Sequence, residues 1–193
     1  MVFTNLTWDT SSAVNVTVDS NGYTLTGTAT SNWDSKIKST TTLDTGDILK
    51  IEWLGTGTSN RSTHGLGIDP FGTESTDPEY GIFYYYSPDE VNIVESSNNV
   101  ANFTNTNSPW YIHIEATQIK YYNGSILKHT SSRDSGTLYA HSVFLTTGSA
   151  NITYETSSSG GGSGGGEEEE STSLAGDGSL IEHILYLNTV VPR

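Results

Sequence analysis

The sequence predicts an all-β protein, a two-sheet antiparallel sandwich with a polar leash and a short apolar segment behind it, and three observations carry that reading. Thr, Ser, Asn, Gly and Tyr are abundant while Lys, Arg, Ala and Leu are scarce, a balance that favours strands and turns over helices. Short runs of alternating apolar and polar residues, punctuated by turn formers, fill the chain from Val2 to Tyr154. From Ser157 to Ser173 the stretch "SSSGGGSGGGEEEESTS" then holds no apolar side chain, and its glycines lose the most freedom on ordering.

Strand by strand, "AVNVTV" begins at Ala13, "GYTLTGTAT" at Gly22, "ILKIEWLG" at Ile48, "GIFYYYS" at Gly81 and "VNIVE" at Val91. "WYIHIEA" from Trp110, "IKYYNGSILKHT" from Ile119, "HSVFLTT" from His141 and "ANITYE" from Ala150 complete the series. About nine strands in a body of this length is the count of a two-sheet sandwich. Asn123-Gly124, between two alternating runs, predicts a hairpin with a two-residue type I′ turn. Asn21-Gly22, Thr45-Gly46 and Ser87-Pro88-Asp89 read as three further turns.

The 193 residues suit one ordinary domain with an appendage. The boundaries predicted are 1–156 for the sandwich, 157–173 for the flexible linker and 174–193 for a C-terminal anchoring peptide. In that peptide Ser179 and Glu182 fit a capping box, and Leu180, Ile184, Leu187 and Val191 recur at helical spacing, while alternation fits part of it as well. An isolated helix below roughly 12–15 residues is marginal in water, so the segment must dock on a partner, offering Ile181, Ile184, Leu185, Tyr186 and Leu187. "GGGSGGG" resembles an engineered linker, but the acidic run that follows it serves no engineering purpose, which favours a natural leash.

The formal charge of −14, with only eight Lys and Arg, opposes nucleic acid as a partner. The absence of a long apolar run and of a basic, apolar N-terminal leader predicts no membrane partner and synthesis in a cytoplasm. With no cysteine there is neither a disulfide framework nor a thiolate metal site. The five histidines, His64, His113, His129, His141 and His183, show no ligand spacing, and the acidic loop from Asp69 to Glu79 lacks the spacing of a calcium loop. No cofactor, metal or catalytic residue is therefore expected. Six N-x-S/T sequons, at Asn5, Asn15, Asn60, Asn102, Asn123 and Asn151, read as chance in a chain rich in Asn and Thr.

The clearest binding signal is aromatic. A pyranose ring needs an aromatic platform and nearby amides or carboxylates for its hydroxyls. "EYGIFYYYS" offers a candidate sugar face of Tyr80, Tyr84 and Tyr86 on one phase of the alternation, with Phe83 and Tyr85 on the other phase as core. Trp33, Trp53 and Trp110, inside or beside strand runs, are assigned to the core.

Trp33 in "TATSNWDSKIKS", then "GDILKIEW", the pair "GLGID" and "YGIFYYY", and "YIHIEATQIKYYNGSIL" together resemble the concanavalin A-like lectin/glucanase jelly roll, a group that includes laminin-G-like, SPRY-like and phage-borne sugar-binding domains. The resemblance covers residues 3–155 and implies a two-sheet antiparallel jelly-roll sandwich. Glycoside hydrolases of that group carry E-x-D-x-x-E or E-x-D-x-E on one strand, a pattern missing here, and Glu52, Glu95 and Glu115 read as solvated carboxylates. The expectation is a non-enzymatic structural protein of a virion, a capsid decoration or fibre-like protein of a bacteriophage, present in arrayed or oligomeric copies. Other virion proteins would receive its C-terminal segment at the virion surface, after assembly in a host cytoplasm. The alternative is a carbohydrate-binding module or adhesin domain of an extracellular, cell-surface protein, with a cell-surface glycan as partner.

Overall fold

Fourteen strands and no helix make up the described residues of the computed structural model, which are 2–28, 33, 35–54, 61–68, 78–85, 90–96, 98–104 and 109–157. In chain order they are β1 (Thr4–Asn5), β2 (Val16–Val18), β3 (Thr24–Gly27), β4 (Ser35–Leu43), β5 (Ile48–Leu54), β6 (Arg61–Gly67) and β7 (Tyr80–Tyr85). Then come β8 (Glu90–Glu95), β9 (Asn98–Thr104), β10 (Trp110–Ile114), β11 (Gln118–Asn123), β12 (Ile126–Ser132), β13 (Leu138–Phe144) and β14 (Gly148–Glu155). The chain divides into two units, Met1–Ser157 and Ser158–Arg193. The linker beyond Ser157 and the anchoring peptide with Ile181, Ile184, Leu185, Tyr186 and Leu187 lie outside the described residues, as do Tyr86, Ser87-Pro88-Asp89 and all but Pro78 and Glu79 of the acidic loop.

Two antiparallel sheets form the sandwich. One runs β12-β11-β10-β5-β14-β3-β2, with β1 added along β14, and the other runs β4-β13-β6-β7-β8-β9. Alternation places Leu49 and Ile51 of β5 and Trp110, Ile112 and Ile114 of β10 inward from the first sheet, against Ile37, Leu66, Ile82, Val91, Ile93 and Phe144 of the second. Each aliphatic side chain of that kind contributes about 1.5–3 kcal/mol on burial, which fixes the register, since a one-residue slip would turn every core residue outward.

The two lateral sides are closed differently. On one, residues 7–14 lie along the edge of β4, with Asp9 N donating to Lys38 O at 2.9 Å and Val14 and Lys36 exchanging bonds of 2.9 Å. On the other, β9 and β12 end their sheets, and the ties are side chains: Ser131 Oγ donates to Glu95, His129 Nε2 stands 3.7 Å from the same carboxylate, and the Lys128 ammonium sits 5.5 Å from the Phe103 ring centroid.

The Asn123-Gly124 hairpin joins β11 to β12, but its loop is Gly124-Ser125. Asn123 pairs with Ile126 inside the ladder, and the positive φ of 58° falls on Gly124, the first loop residue, which is the type II′ arrangement rather than type I′. Asn123 is drawn into the strand because its side chain is buried. The Asn21-Gly22 turn forms with φ 79° at Gly22, and the Thr45-Gly46 turn with φ 94° at Gly46. The second of these carries the chain from one sheet to the other.

Four strands have no counterpart among the alternating runs, the two-residue β1 and three longer ones. β6 presents Ser62 and His64 to the interior, β9 is an asparagine-rich edge, and β4 alternates Lys36-Ile37-Lys38 before a run of threonines. Glycines let β6 and β7 pack: a Cβ on Gly65 would stand 2.1 Å from Tyr80 O.

The β4–β5 turn also marks where the chain leaves the sandwich. The Asp47 carboxylate accepts from Asp44 N at 2.8 Å and from Ser157 N at 3.1 Å, and Ser157 Oγ donates to Thr45 O at 3.4 Å. Because β4 runs into this turn and β7 runs antiparallel to β6, the starts of β4 and β6 and the end of β7 lie at the opposite pole.

Candidate functional site

At that opposite pole, on the outer face of the six-stranded sheet, Phe83 and Tyr85 project from β7. Their rings meet edge to face with centroids 5.9 Å apart. Trp33 lies against Phe83 at 5.4 Å, also edge to face. Arg61, paired with Tyr85 across the β6–β7 ladder, donates from Nη2 to the Tyr85 hydroxyl and places its guanidinium carbon 4.0 Å from the ring centroid. A guanidinium over an aromatic face is attracted by the ring quadrupole.

Across β8, Glu90 stands opposite Tyr85 and Asn92 opposite Phe83. Asn102 of β9 donates to Asn92 Oδ1 at 2.7 Å and to Glu90 Oε2 at 3.3 Å. Three rings, one cation and a row of amide and carboxylate groups therefore share one outer face. Beneath them Thr63 and Val143, although outward-facing, are fully shielded from solvent.

Trp33 holds a φ of 54°. The left-handed region costs a non-glycine residue of order 1–3 kcal/mol, so a tryptophan there is held by its surroundings. The Phe83 ring packs against it. Trp33 is thus an outer-face residue and not part of the core, whereas Trp110 is fully buried and Trp53 packs half-buried against the core with Nε1 donating to Ser62 Oγ at 3.1 Å.

The phase assigned to the tyrosines is reversed. Tyr80 and Tyr84 are each 5% exposed and belong to the core, so neither can form a sugar platform. Tyr80 accepts a bond from Asp134 N at 2.9 Å, and burial pushes its hydroxyl pKa up; Tyr84 packs on Trp53 at 5.1 Å. Ile82 was the available signal. An aliphatic β-branched residue with no polar end goes inward, and Tyr80 and Tyr84 share its phase.

The three strand-borne carboxylates Glu52, Glu95 and Glu115 do not converge. Glu52 pairs with Lys50 at 3.0 Å, and Glu115 pairs with Lys120 at 2.6 Å and stands 4.0 Å from His113, both on the other sheet. Glu95, at the rim between the sheets, is bound to Ser131 and flanked by His129, and burial holds its pKa up. Among the described residues no three His, Asp or Glu side chains are placed to hold a metal.

His64 is fully buried between Ser142 Oγ and Ser62 Oγ, each 3.0 Å from a ring nitrogen, and desolvation lowers its pKa to about 3. It is a neutral, hydrogen-bonded core residue.

No protein-family model matches the sequence, and none of the curated proteins matches it. Solved structures do. The chain is similar to the PSpry domain of TRIM65, with a TM-score of 0.59 and 10% identity over 77% of this chain and 89% of that one. It is also similar to the SPRY domain of human HERC1, with a TM-score of 0.54 and 15% identity over 75% of this chain and 96% of that one. At these identities the likeness is one of fold alone: a two-sheet antiparallel β-sandwich like that of the SPRY domains.

Proposed function

We propose that the chain is a non-enzymatic binding head, which takes its ligand on the outer face of the six-stranded sheet and is held to a larger assembly through its C-terminal segment. The observation that carries this reading is the row Trp33–Phe83–Tyr85 with Arg61, set at the pole opposite Ser157. A ligand surface at the far pole from the linker root stands clear of whatever holds the linker.

A saccharide suits the surface. The rings fit the apolar side of a pyranose, and Glu90, Asn92 and Asn102 suit its hydroxyls. The finer setting is a virion, with the head displayed as a decoration or fibre-like protein and the C-terminal segment docked on other virion proteins. A net charge of −14 supports that setting by keeping a dense array of heads soluble and apart.

The test uses the full chain, coupled to beads through its N terminus, with Trp33→Ala/Tyr85→Ala as the paired variant. Surface extracts and a neutral glycan panel are passed over both. The reading predicts a retained species that the double variant releases, with the circular dichroism of the two proteins unchanged. Species retained equally by both proteins would contradict it.

A further inference from the structure

The four sheet edges of the described residues are protected unequally. An edge strand presents unpaired N–H and C=O groups, and proteins blunt such edges with charge, brevity, bulges or a covering segment. The edge of β4 is covered by residues 7–14 through backbone bonds, and β2 is only three residues long. β12 places the charged Lys128 as the extra residue of its register shift opposite Tyr121 and Tyr122.

β9 differs. Its seven residues, Asn98–Thr104, include no charged side chain and no proline, and they end the six-stranded sheet. A register shift opposite Ile93/Val94 makes Val100 the extra residue, which leaves Ala101–Thr104 as a regular stretch with every position paired to β8 on one side only. Val100 is 42% exposed, and Phe103 packs half-buried at the rim.

We infer that β9 is a self-association edge, along which a second copy of this chain adds its own β9 antiparallel to continue the six-stranded sheet. The edge itself carries no carboxylate that would draw a basic partner, whereas a second copy brings an equally uncharged strand. In a protein of net charge −14, like-charge repulsion opposes close approach over most of the surface, and an uncharged edge is where two copies can meet at strand spacing. Two-fold pairing of identical edges closes after one partner, so it yields a dimer and not a fibre. Asn98 and Asn99 suit such pairing, because opposed amides can hydrogen-bond across a two-fold axis. The inference is independent of the ligand surface.

Sedimentation of the full chain across ~10–200 µM, where mass action populates a weak dimer, tests it. The expected result is a concentration-dependent dimer that strengthens as salt rises, because screening removes the repulsion between two acidic bodies. Val100→Lys, at an exposed position that leaves the core intact, should return the protein to monomer by placing a charge on the edge. A monomer at every concentration and salt, or a dimer that Val100→Lys leaves unchanged, would overturn the inference.

Discussion

Trp33 and Phe83 meet edge to face at 5.4 Å, although β13 and β6 separate the strand that follows Trp33 from the strand that carries Phe83. Three strand spacings are about 14–15 Å, so Trp33 reaches its partner only by lying across the outer face of the sheet. Its left-handed backbone is part of that geometry, and the ring it delivers completes the aromatic row.

Replacing Trp33 with glycine separates the ring from the backbone. Glycine takes the φ of 54° without strain, so Trp33→Gly should shift the denaturant-derived stability by no more than about 1–2 kcal/mol, lost ring contact offsetting relieved strain. Ligand retention should be abolished. A loss of stability above that range would mean that Trp33 serves mainly to cover Thr63 and Val143.

His64 sets an acid limit on stability. Its folded pKa of about 3 lies below the ordinary 6.5, so between those values the unfolded chain binds a proton that the folded chain does not. Stability therefore falls as pH drops through that window, by up to about 1.4 kcal/mol per pH unit. Glu79 and Glu95, held up by burial, act in the opposite sense at the lower end. The difference between wild type and His64→Gln isolates the histidine: denaturation midpoints should converge as pH falls from 7 towards 4. Parallel curves would refute its neutral burial.

Gly65→Ala tests the close approach of β6 and β7. The added methyl would meet Tyr80 O at 2.1 Å and Gly81 Cα at 2.6 Å, backbone atoms of a paired strand that cannot rotate aside. A loss of about 3 kcal/mol or more is expected, read from urea denaturation.

Much of this fold was legible because alternation reports burial directly. β5, β8, β10, β11, β13 and β14 carry inward apolar residues such as Ile51, Ile93, Ile112, Ile119, Phe144 and Ile152 within or beside the runs that announced them, and the turns at Gly22, Gly46 and Gly124 follow from positive φ. β6 was illegible because its interior is polar and glycine-rich: Ser62 and His64 satisfy each other and Trp53, which no pattern of hydrophobicity reveals. The site was half legible. "GIFYYYS" located it, but with aromatics on both phases the inward set could be chosen only through Ile82. Trp33 and Arg61 lie far from Phe83 in sequence, and only the strand order β4-β13-β6-β7 brings them to it.

Asp47 ties the linker root to the sandwich, since one carboxylate oxygen accepts from Asp44 N and the other from Ser157 N. Asp47→Ala removes both acceptors and should cost about 1–3 kcal/mol. Amide exchange at Ser157 and in the turn should quicken while that of β7 and β8 stays slow. Uniform quickening would show global destabilisation and no local tie.

The central claim is that the outer face of the six-stranded sheet at the pole away from Ser157 is the binding surface. Amide hydrogen exchange of the full chain with and without its retained ligand measures this most directly. The account predicts protection confined to the ligand face, at Trp33 and in segments 61–67, 80–85, 90–94 and 101–104, with 48–54 and 110–114 of the other sheet unchanged. Protection of the other sheet, or of no segment in the six-stranded sheet, would contradict it.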